Sequence, residues 1–416
     1  MKIGVIGLGH VGLVTASVLS KLYDVVAIDI DSDKISNLSE GVLPFFEPGL
    51  DTLFKKVYKK MIFSTDYSEI KDREVNFIVV PTPTVNNKIN LEYVFSASRK
   101  IAEINKNSIA VIKSTVLPGT AAKVMKETGL KVISNPEFTK EGSTVKDTLH
   151  PDRIIIGGND KKSINIVKKI WKFTNAPVLI TSNENAEFIK YGSNALLATL
   201  ISFGNELSNV AEKIPNSDMD IIIKGMAMDK RIGCTKSYLK PGIGFGGSCF
   251  PKDTRALLTF SEELGEKMQI LDATIKTNED RVTHLIEIIR NATNDFSQIS
   301  KVGILGLAFK ENTDDLRESP SIKLINKLNA IGINVNVYDP LIKASKLSGI
   351  TLFNKLDTLI ENSDVIILAT NSKDFKKLDQ MHINKLIIDG RGFLNPKKYS
   401  KYISIGKFIN NQEGIL

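Results

Sequence analysis

Over the first 180 residues, short apolar and β-branched runs alternate with longer stretches of helical periodicity. The strand-like runs fall at residues 2–7, 24–29, 75–81, 108–115, 131–136, 153–158 and 177–182. A parallel neighbour needs a long crossover, and a helix is the compact way to make one. The alternation therefore predicts an α/β unit with a mostly parallel, doubly wound sheet. From residue 185 to about 290 the texture is helical, broken only by the Gly/Pro-rich stretch 241–251, and residues 185–212 read as one long helix. Strand-like runs resume at 301–309, 334–340, 364–370 and 385–391, and Lys-Val-Gly-Ile-Leu-Gly at 301–306 echoes the start of the chain. The expected division is 1–184, 185–294 and 295–416, the middle part being a helical linker and candidate dimerisation element.

Composition narrows the class. A chain of 416 residues, 42% hydrophobic and 25% charged, is that of an ordinary globular protein with more than one core. The net charge of +8 is spread along the chain, with no basic block interleaved with aromatics, so nucleic acid is not an expected partner and an anionic small molecule is. No apolar run reaches membrane-spanning length, and the opening residues, although they imitate a signal peptide, are better explained by a glycine turn. Two cysteines make no disulfide framework, which points to a reducing, cytoplasmic setting. Four scattered histidines have no metal-ligand spacing, so no metal is expected.

The glycine turn carries the first piece of chemistry. Gly7-Leu8-Gly9-His10-Val11-Gly12 follows an apolar strand and opens a helix. Gly7 permits the tight turn, Gly9 lets a pyrophosphate approach the backbone, and Gly12 lets helix pack on strand. Asp29, 22 residues after Gly7, ends the next strand where a carboxylate binds a ribose 2′-hydroxyl and repels a 2′-phosphate, so NAD is favoured over NADP. Gly303 and Gly306 lack the full fingerprint. They either bind the nucleotide end of a substrate or form a plain strand-turn-helix, with Asp339 the nearest counterpart of Asp29.

Residues 241–253 read Pro-Gly-Ile-Gly-Phe-Gly-Gly-Ser-Cys-Phe-Pro-Lys-Asp. Four glycines in six positions let a backbone wrap a ligand closely. With Pro251 as a first helical residue, Cys249 sits at a helix N-terminal edge beside Lys252, a setting that lowers a thiol pKa. Asp253 follows at i+4 as a candidate base. Lys190 and Asn194 share a face of the long helix and together can polarise an oxygen, although a solvated lysine satisfies the same spacing. Glu137 and Glu141 follow a strand end, where open sheets bind ligands and where surface carboxylates are also ordinary.

In order along the chain, Gly-Leu-Gly-His-Val-Gly, Pro81-Thr82-Pro83, Ser114-Thr115, Asn-Pro-Glu-Phe at 135–138, the helix around Lys190, the Cys249 loop and Gly306–Pro320 resemble the UDP-glucose/GDP-mannose dehydrogenase family over nearly the whole length. The resemblance implies two Rossmann-like doubly wound domains joined by a long dimerising helix, with NAD as cofactor and a homodimer as the assembly. It implies Cys249 as nucleophile, Lys190 and Asn194 at the reacting oxygen, Asp253 in water activation or proton transfer, Glu137 in thioester hydrolysis and Thr115 holding an ordered water. Gly7, Gly9, His10, Val11, Gly12, Asp29, Pro81, Thr82, Thr115 and Glu141 would line the cofactor. Arg231, Tyr238, Lys240, Phe245, Gly246, Lys310 and Arg391, with Lys190 and Asn194, would line the sugar nucleotide, Arg231 reaching it across the dimer. The implied reaction is a two-step oxidation of UDP-glucose at C6 to UDP-glucuronate through a Cys249 thioester.

Alternatives share parts of this pattern. The same chemistry on GDP-mannose or UDP-N-acetylmannosamine keeps the architecture, but Ser248 stands where the N-acetylmannosamine branch typically has His. A single-step 3-hydroxyacid dehydrogenase needs neither Cys249 nor a second α/β domain. A non-catalytic NAD sensor would bind the dinucleotide without turnover.

Overall fold

The computed structural model describes residues 1–85, 87–297, 299–342 and 350–409. The strands are β1 (Lys2–Ile6), β2 (Asp24–Ile28), β3 (Ile62–Ser64), β4 (Val75–Ile78), the hairpin β5 (Thr84–Val85) and β6 (Lys88–Ile89), β7 (Ile109–Ile112), β8 (Lys131–Ser134), β9 (Ile154–Gly157) and β10 (Val178–Thr181). Beyond the central helices come β11 (Lys301–Leu305), β12 (Asn334–Tyr338), β13 (Thr351–Leu352), β14 (Val365–Leu368), β15 (Leu386–Asp389) and β16 (Tyr402–Ser404). The chain forms two compact units, Met1–Ser193 with 262–264, and Asn194–Ser261 with 265–416. Helix Asn183–Ala211, 29 residues long, runs from the first into the second.

In the first unit eight strands are ordered β10-β9-β8-β7-β4-β1-β2-β3. Neighbours are parallel except at β8–β9, which meet through one antiparallel pairing, Ser134 with Gly157. In the second unit six parallel strands are ordered β13-β12-β11-β14-β15-β16. In both, the first strand lies between one that follows it directly and one from the other half, which creates the crevice where open sheets take ligands. Alternating side chains explain the two cores of each sheet: Ile3 and Val5 face one, Ile6 the other, and Val302 and Ile304 are likewise separated from Leu305.

Every strand expected from the sequence is present, trimmed at its ends; residues 108–115, for example, yield only Ile109–Ile112. The edge strands β3, β13 and β16, each of two or three residues, were not expected, being too short to leave a period. The helix behind Cys249 starts at Phe250, one residue before the expected Pro251; proline is tolerated there because first-turn N–H groups have no helical acceptor. No helix among the described residues is long and apolar enough to cross a membrane.

Candidate functional site

The first unit builds the dinucleotide turn at the carboxyl end of β1. Gly7 has φ +92°, which a side chain would oppose, and its N–H donates to the Ile28 carbonyl at 2.8 Å. A Cβ on Gly12 would overlap the Gly7 carbonyl oxygen, whereas one on Gly9 would meet nothing within 4 Å. Gly9 thus leaves open space directly over the start of helix His10–Leu19, whose N-terminus has no side-chain cap. Uncapped N–H groups and the helix dipole suit a pyrophosphate. Asp29 is buried; its Oδ2 accepts the Leu8 N–H at 2.7 Å and Lys34 Nζ at 3.1 Å, and its Oδ1 accepts the Asp31 N–H at 3.1 Å. These residues fit an NAD molecule.

The other cofactor candidates follow neighbouring strands of the same sheet edge. Pro81, exposed, and Thr82, buried, lie beyond β4, and half-buried Thr115 lies beyond β7. Ser114 Oγ ties these segments by donating to the Val80 carbonyl at 2.7 Å. Val11 is half-buried in the first helical turn, and Glu141 is half-buried in the loop beyond β8.

Deeper in this unit, Lys190 Nζ donates to Glu137 Oε1 at 2.9 Å, with both side chains buried. Thr139 adds N–H and Oγ1 donors to Glu137 Oε2, each at 2.6 Å. Burial pushes the Glu137 carboxyl up, but the Lys190 ammonium and the Thr139 donors outweigh it and hold the group at about 2. A lysine anchored in this way is held in one orientation. Lys113 lines a cleft with Glu137, 7% exposed, its ammonium 4.7 Å from the Trp171 ring centre. Burial, with the Lys190 charge adding to it, pushes the Lys113 ammonium down to about 8 against the pull of Glu137.

The second unit holds the cysteine. Cys249 is exposed, its carbonyl accepts the Asp253 N–H at 2.8 Å, and Ser248 Oγ lies 3.6 Å from its sulfur. Asp253, 1% exposed, takes the Asn194 amide on Oδ2 at 2.6 Å and Lys252 Nζ on Oδ1 at 2.5 Å. The structure therefore joins Asn194 to Asp253 in one unit and Lys190 to Glu137 in the other. Lys190 and Asn194 themselves stand one turn apart on the long helix.

The glycine loop is gripped from several sides. Gly242 donates to Asn205 Oδ1 at 2.9 Å and accepts from Arg281 Nε at 3.0 Å, while Phe245 N–H and carbonyl both pair with the Asn278 amide, at 2.7 and 3.0 Å. A Cβ on Gly246 would overlap the Glu318 carbonyl, and one on Gly242 would lie 2.5 Å from Arg391 Nη1. The loop thus runs against residues 309–320 at Gly246 and Gly247 and against Arg391 at Gly242. Lys310 lies over the Phe309 ring at 5.4 Å, and burial pushes the Arg391 guanidinium below its ordinary range. Arg231, 89% exposed, is engaged with Asp229, half-buried Tyr238 ends the short turn Lys236–Tyr238, and Lys240 is exposed.

Sequence reasoning missed Lys113, Asn205, Asn278 and Arg281. Only the i,i+3 spacing of Asn278 and Arg281 on one helix face hinted at a shared target. Among the described residues no three His, Cys, Asp or Glu side chains form a metal-binding group.

Profiles of the UDP-glucose/GDP-mannose dehydrogenase family match in chain order: the NAD binding domain over residues 1–175, the central domain over 184–280 and the UDP binding domain over 303–396. A UDP-glucose 6-dehydrogenase of Bacillus subtilis (strain 168) is 37% identical over 414 residues, covering 94% of this chain and 93% of that protein. The structure of a UDP-glucose dehydrogenase from Pyrobaculum islandicum superposes with a TM-score of 0.90 at 32% identity, covering 98% of both chains. That of a UDP-D-ManNAc dehydrogenase from Pyrococcus horikoshii gives 0.87 at 27% identity, covering 100% of both.

Proposed function

Because the chain belongs to the UDP-glucose/GDP-mannose dehydrogenase family and is an NAD-dependent oxidoreductase of that type, we propose that it oxidises C6 of UDP-glucose twice to give UDP-glucuronate. The observation that carries the reading is an exposed Cys249 at the N-terminal edge of helix Phe250–Glu263, one turn before an Asp253 already bound to Asn194. Bound NAD supplies the electron acceptor for each oxidation. Lys190 and Asn194 hold the C6 oxygen, the ammonium stabilising negative charge as it develops. Once an aldehyde exists, the Cys249 thiolate adds to its carbon. The adduct keeps the reactive aldehyde in the site, and its oxidation leaves a thioester on Cys249. Water then attacks the thioester carbonyl, and the thiolate departs. Asp253 takes up the proton of that water, supported by Glu137, and Thr115 holds an ordered water. A carboxylate held as low as Glu137 is a weak base while Lys190 is bound to it, so its first task is to orient that lysine.

The three-part division at 184 and 294, the cytoplasmic setting and the homodimer belong to the same proposal. Phe188, Leu196, Phe203 and Val210 are exposed along the long helix at spacings of eight, seven and seven, an apolar stripe that fits a partner helix. Arg231, exposed and held by Asp229, would exchange that carboxylate for a neighbour's sugar nucleotide.

Purified protein with NAD and a panel of sugar nucleotides tests the reading. UDP-glucose should give two NADH per sugar. Faster turnover of GDP-mannose or UDP-N-acetylmannosamine would overturn the substrate, one NADH per sugar would overturn the thioester route, and NAD binding without any turnover would leave a sensor. Cys249→Ala should bind both ligands and make no acid.

A further inference from the structure

Glu47 lies between helices Ser32–Ser39 and Leu50–Val57, outside every motif that marks the site. It is 3% exposed, yet its carboxylate is fully occupied. His10 Nε2 meets Oε2 at 2.5 Å, the Gly142 N–H donates to Oε2 at 2.9 Å, and Thr144 gives its N–H to Oε1 at 2.7 Å and its hydroxyl to Oε2 at 3.3 Å. The His10 ring also stacks on Phe45, centroids 4.5 Å apart and planes 21° from parallel. A carboxylate taken out of water persists only with such donors. Burial pushes the Glu47 carboxyl up, but His10 and the backbone donors at 142 and 144 outweigh it and hold the group below its ordinary range.

What matters is where these donors lie. His10 is the first residue of the helix behind the dinucleotide turn, and Gly142 directly follows Glu141 in the loop beyond β8. One buried carboxylate therefore ties the turn expected at the pyrophosphate, in the middle of the cofactor, to the loop of Glu141, expected farther along it. We propose that Glu47 is a positioning residue for NAD, fixing the distance between those segments before the dinucleotide arrives. Preformed geometry removes an ordering cost that binding would otherwise bear. His10 takes part through its side chain, held aside on Phe45, while its backbone remains part of the turn.

Fluorescence titration with NADH, with no sugar nucleotide present, tests this. Glu47→Gln places a donor amide against His10 and Gly142, and should weaken NADH about tenfold, the scale of one charge-assisted hydrogen bond. AMP, which reaches Asp29 and the turn but not the loop after Glu141, should bind the same variant within about threefold of wild type. His10→Phe keeps the stack on Phe45 and loses the bond; it should weaken NADH about threefold or more, and the double variant should be no weaker than Glu47→Gln alone within about twofold. Equal losses of NADH and AMP would mean general loosening and would overturn the proposal, as would additive losses in the double variant or an unchanged NADH affinity. Should Glu47→Gln fail to fold, His10→Phe decides by itself: selective loss of NADH over AMP supports the strut, and no loss overturns it. The titration needs no turnover, so a failure of the UDP-glucose reading leaves this result standing, and the reverse.

Discussion

The turn after β1 and the turn after β11 are nearly one structure put to two uses. Gly7 and Gly306 have φ +92° and +91°, and each donates its N–H to the end of the neighbouring strand, at 2.8 and 2.9 Å. Asp29 accepts the Leu8 N–H at 2.7 Å; Asp339 accepts the Leu307 N–H at 2.8 Å and the Ala308 N–H at 3.3 Å. The sequences part immediately afterwards, Gly-Leu-Gly-His-Val-Gly against Gly-Leu-Ala-Phe-Lys-Glu. In the first, glycines leave open space and a helix begins at His10. In the second, buried Ala308 fills the space, and the helix waits until Pro320, with Ser319 capping it by accepting the Ser321 N–H. The intervening loop is instead what the glycine segment before Cys249 packs against, as the Gly247 N–H bond to the Arg317 carbonyl at 2.9 Å shows. A strand-turn-acid frame is thus generic, and the second and third glycines decide whether a pyrophosphate can settle on it.

Breaking that distinction most severely means filling the third glycine. Gly12→Ala drives a methyl into the Gly7 carbonyl, and the packing of helix on strand should lose about 3 kcal/mol or more. Thermal unfolding and NADH titration should both show the damage; a variant with wild-type Tm and NADH affinity would mean that helix and turn separate without cost. Gly9→Ala is the cleaner experiment, since its methyl meets only the space proposed for the pyrophosphate. NADH affinity should fall at least about tenfold, about 1.4 kcal/mol, with Tm nearly unchanged. The mirror-image change, Ala308→Gly, should leave NADH binding alone. If Gly9→Ala binds NADH normally, the pyrophosphate lies elsewhere.

A smaller effect is expected from the paired acids. Asp29→Asn should weaken NADH by about 1 kcal/mol or more and narrow the preference for NAD over NADP, because the charge that repels a 2′-phosphate is gone. Asp339→Asn should leave NADH untouched and register in a titration with UDP, the nucleotide assigned to the second unit. Should Asp339→Asn weaken NADH as much as Asp29→Asn does, the two turns are not divided in labour.

Much of this was legible in the chain because its signals are local. The first turn announces itself through three glycines, a strand and an acid at fixed spacing, and the Cys249 loop through four glycines in a row of six. The role of Asp339 was left open because its acceptor geometry lies 31 and 32 residues away in sequence. Glu47 binds donors 37, 95 and 97 residues distant, and Asn278 reads the Phe245 backbone across 33. Such residues have no period and no motif, because most of their partners are backbone groups that any sequence supplies. Short edge strands such as β13 were invisible for a related reason: two residues cannot display an alternation.

Lys113 offers the subtlest contrast, since the second unit has no described counterpart of a lysine buried against tryptophan. Its ammonium is pushed down to about 8 from an ordinary 10.5, burial being the main cause. Between those two values the unfolded chain binds more protons than the folded one, so this group makes stability rise with pH across that window. Below 8 the folded protein holds the charge at a cost, and above 10.5 neither state carries it. The interval corresponds to at most about 3 kcal/mol. Lys113→Met removes the titration and keeps a side chain of similar length over Trp171. Its stability advantage over wild type, measured by urea unfolding, should therefore be largest below pH 8 and shrink steadily toward pH 10.5. An advantage that stays constant from pH 7 to 10.5 would place the folded ammonium near its ordinary value, in contact with water through the cleft it shares with Glu137.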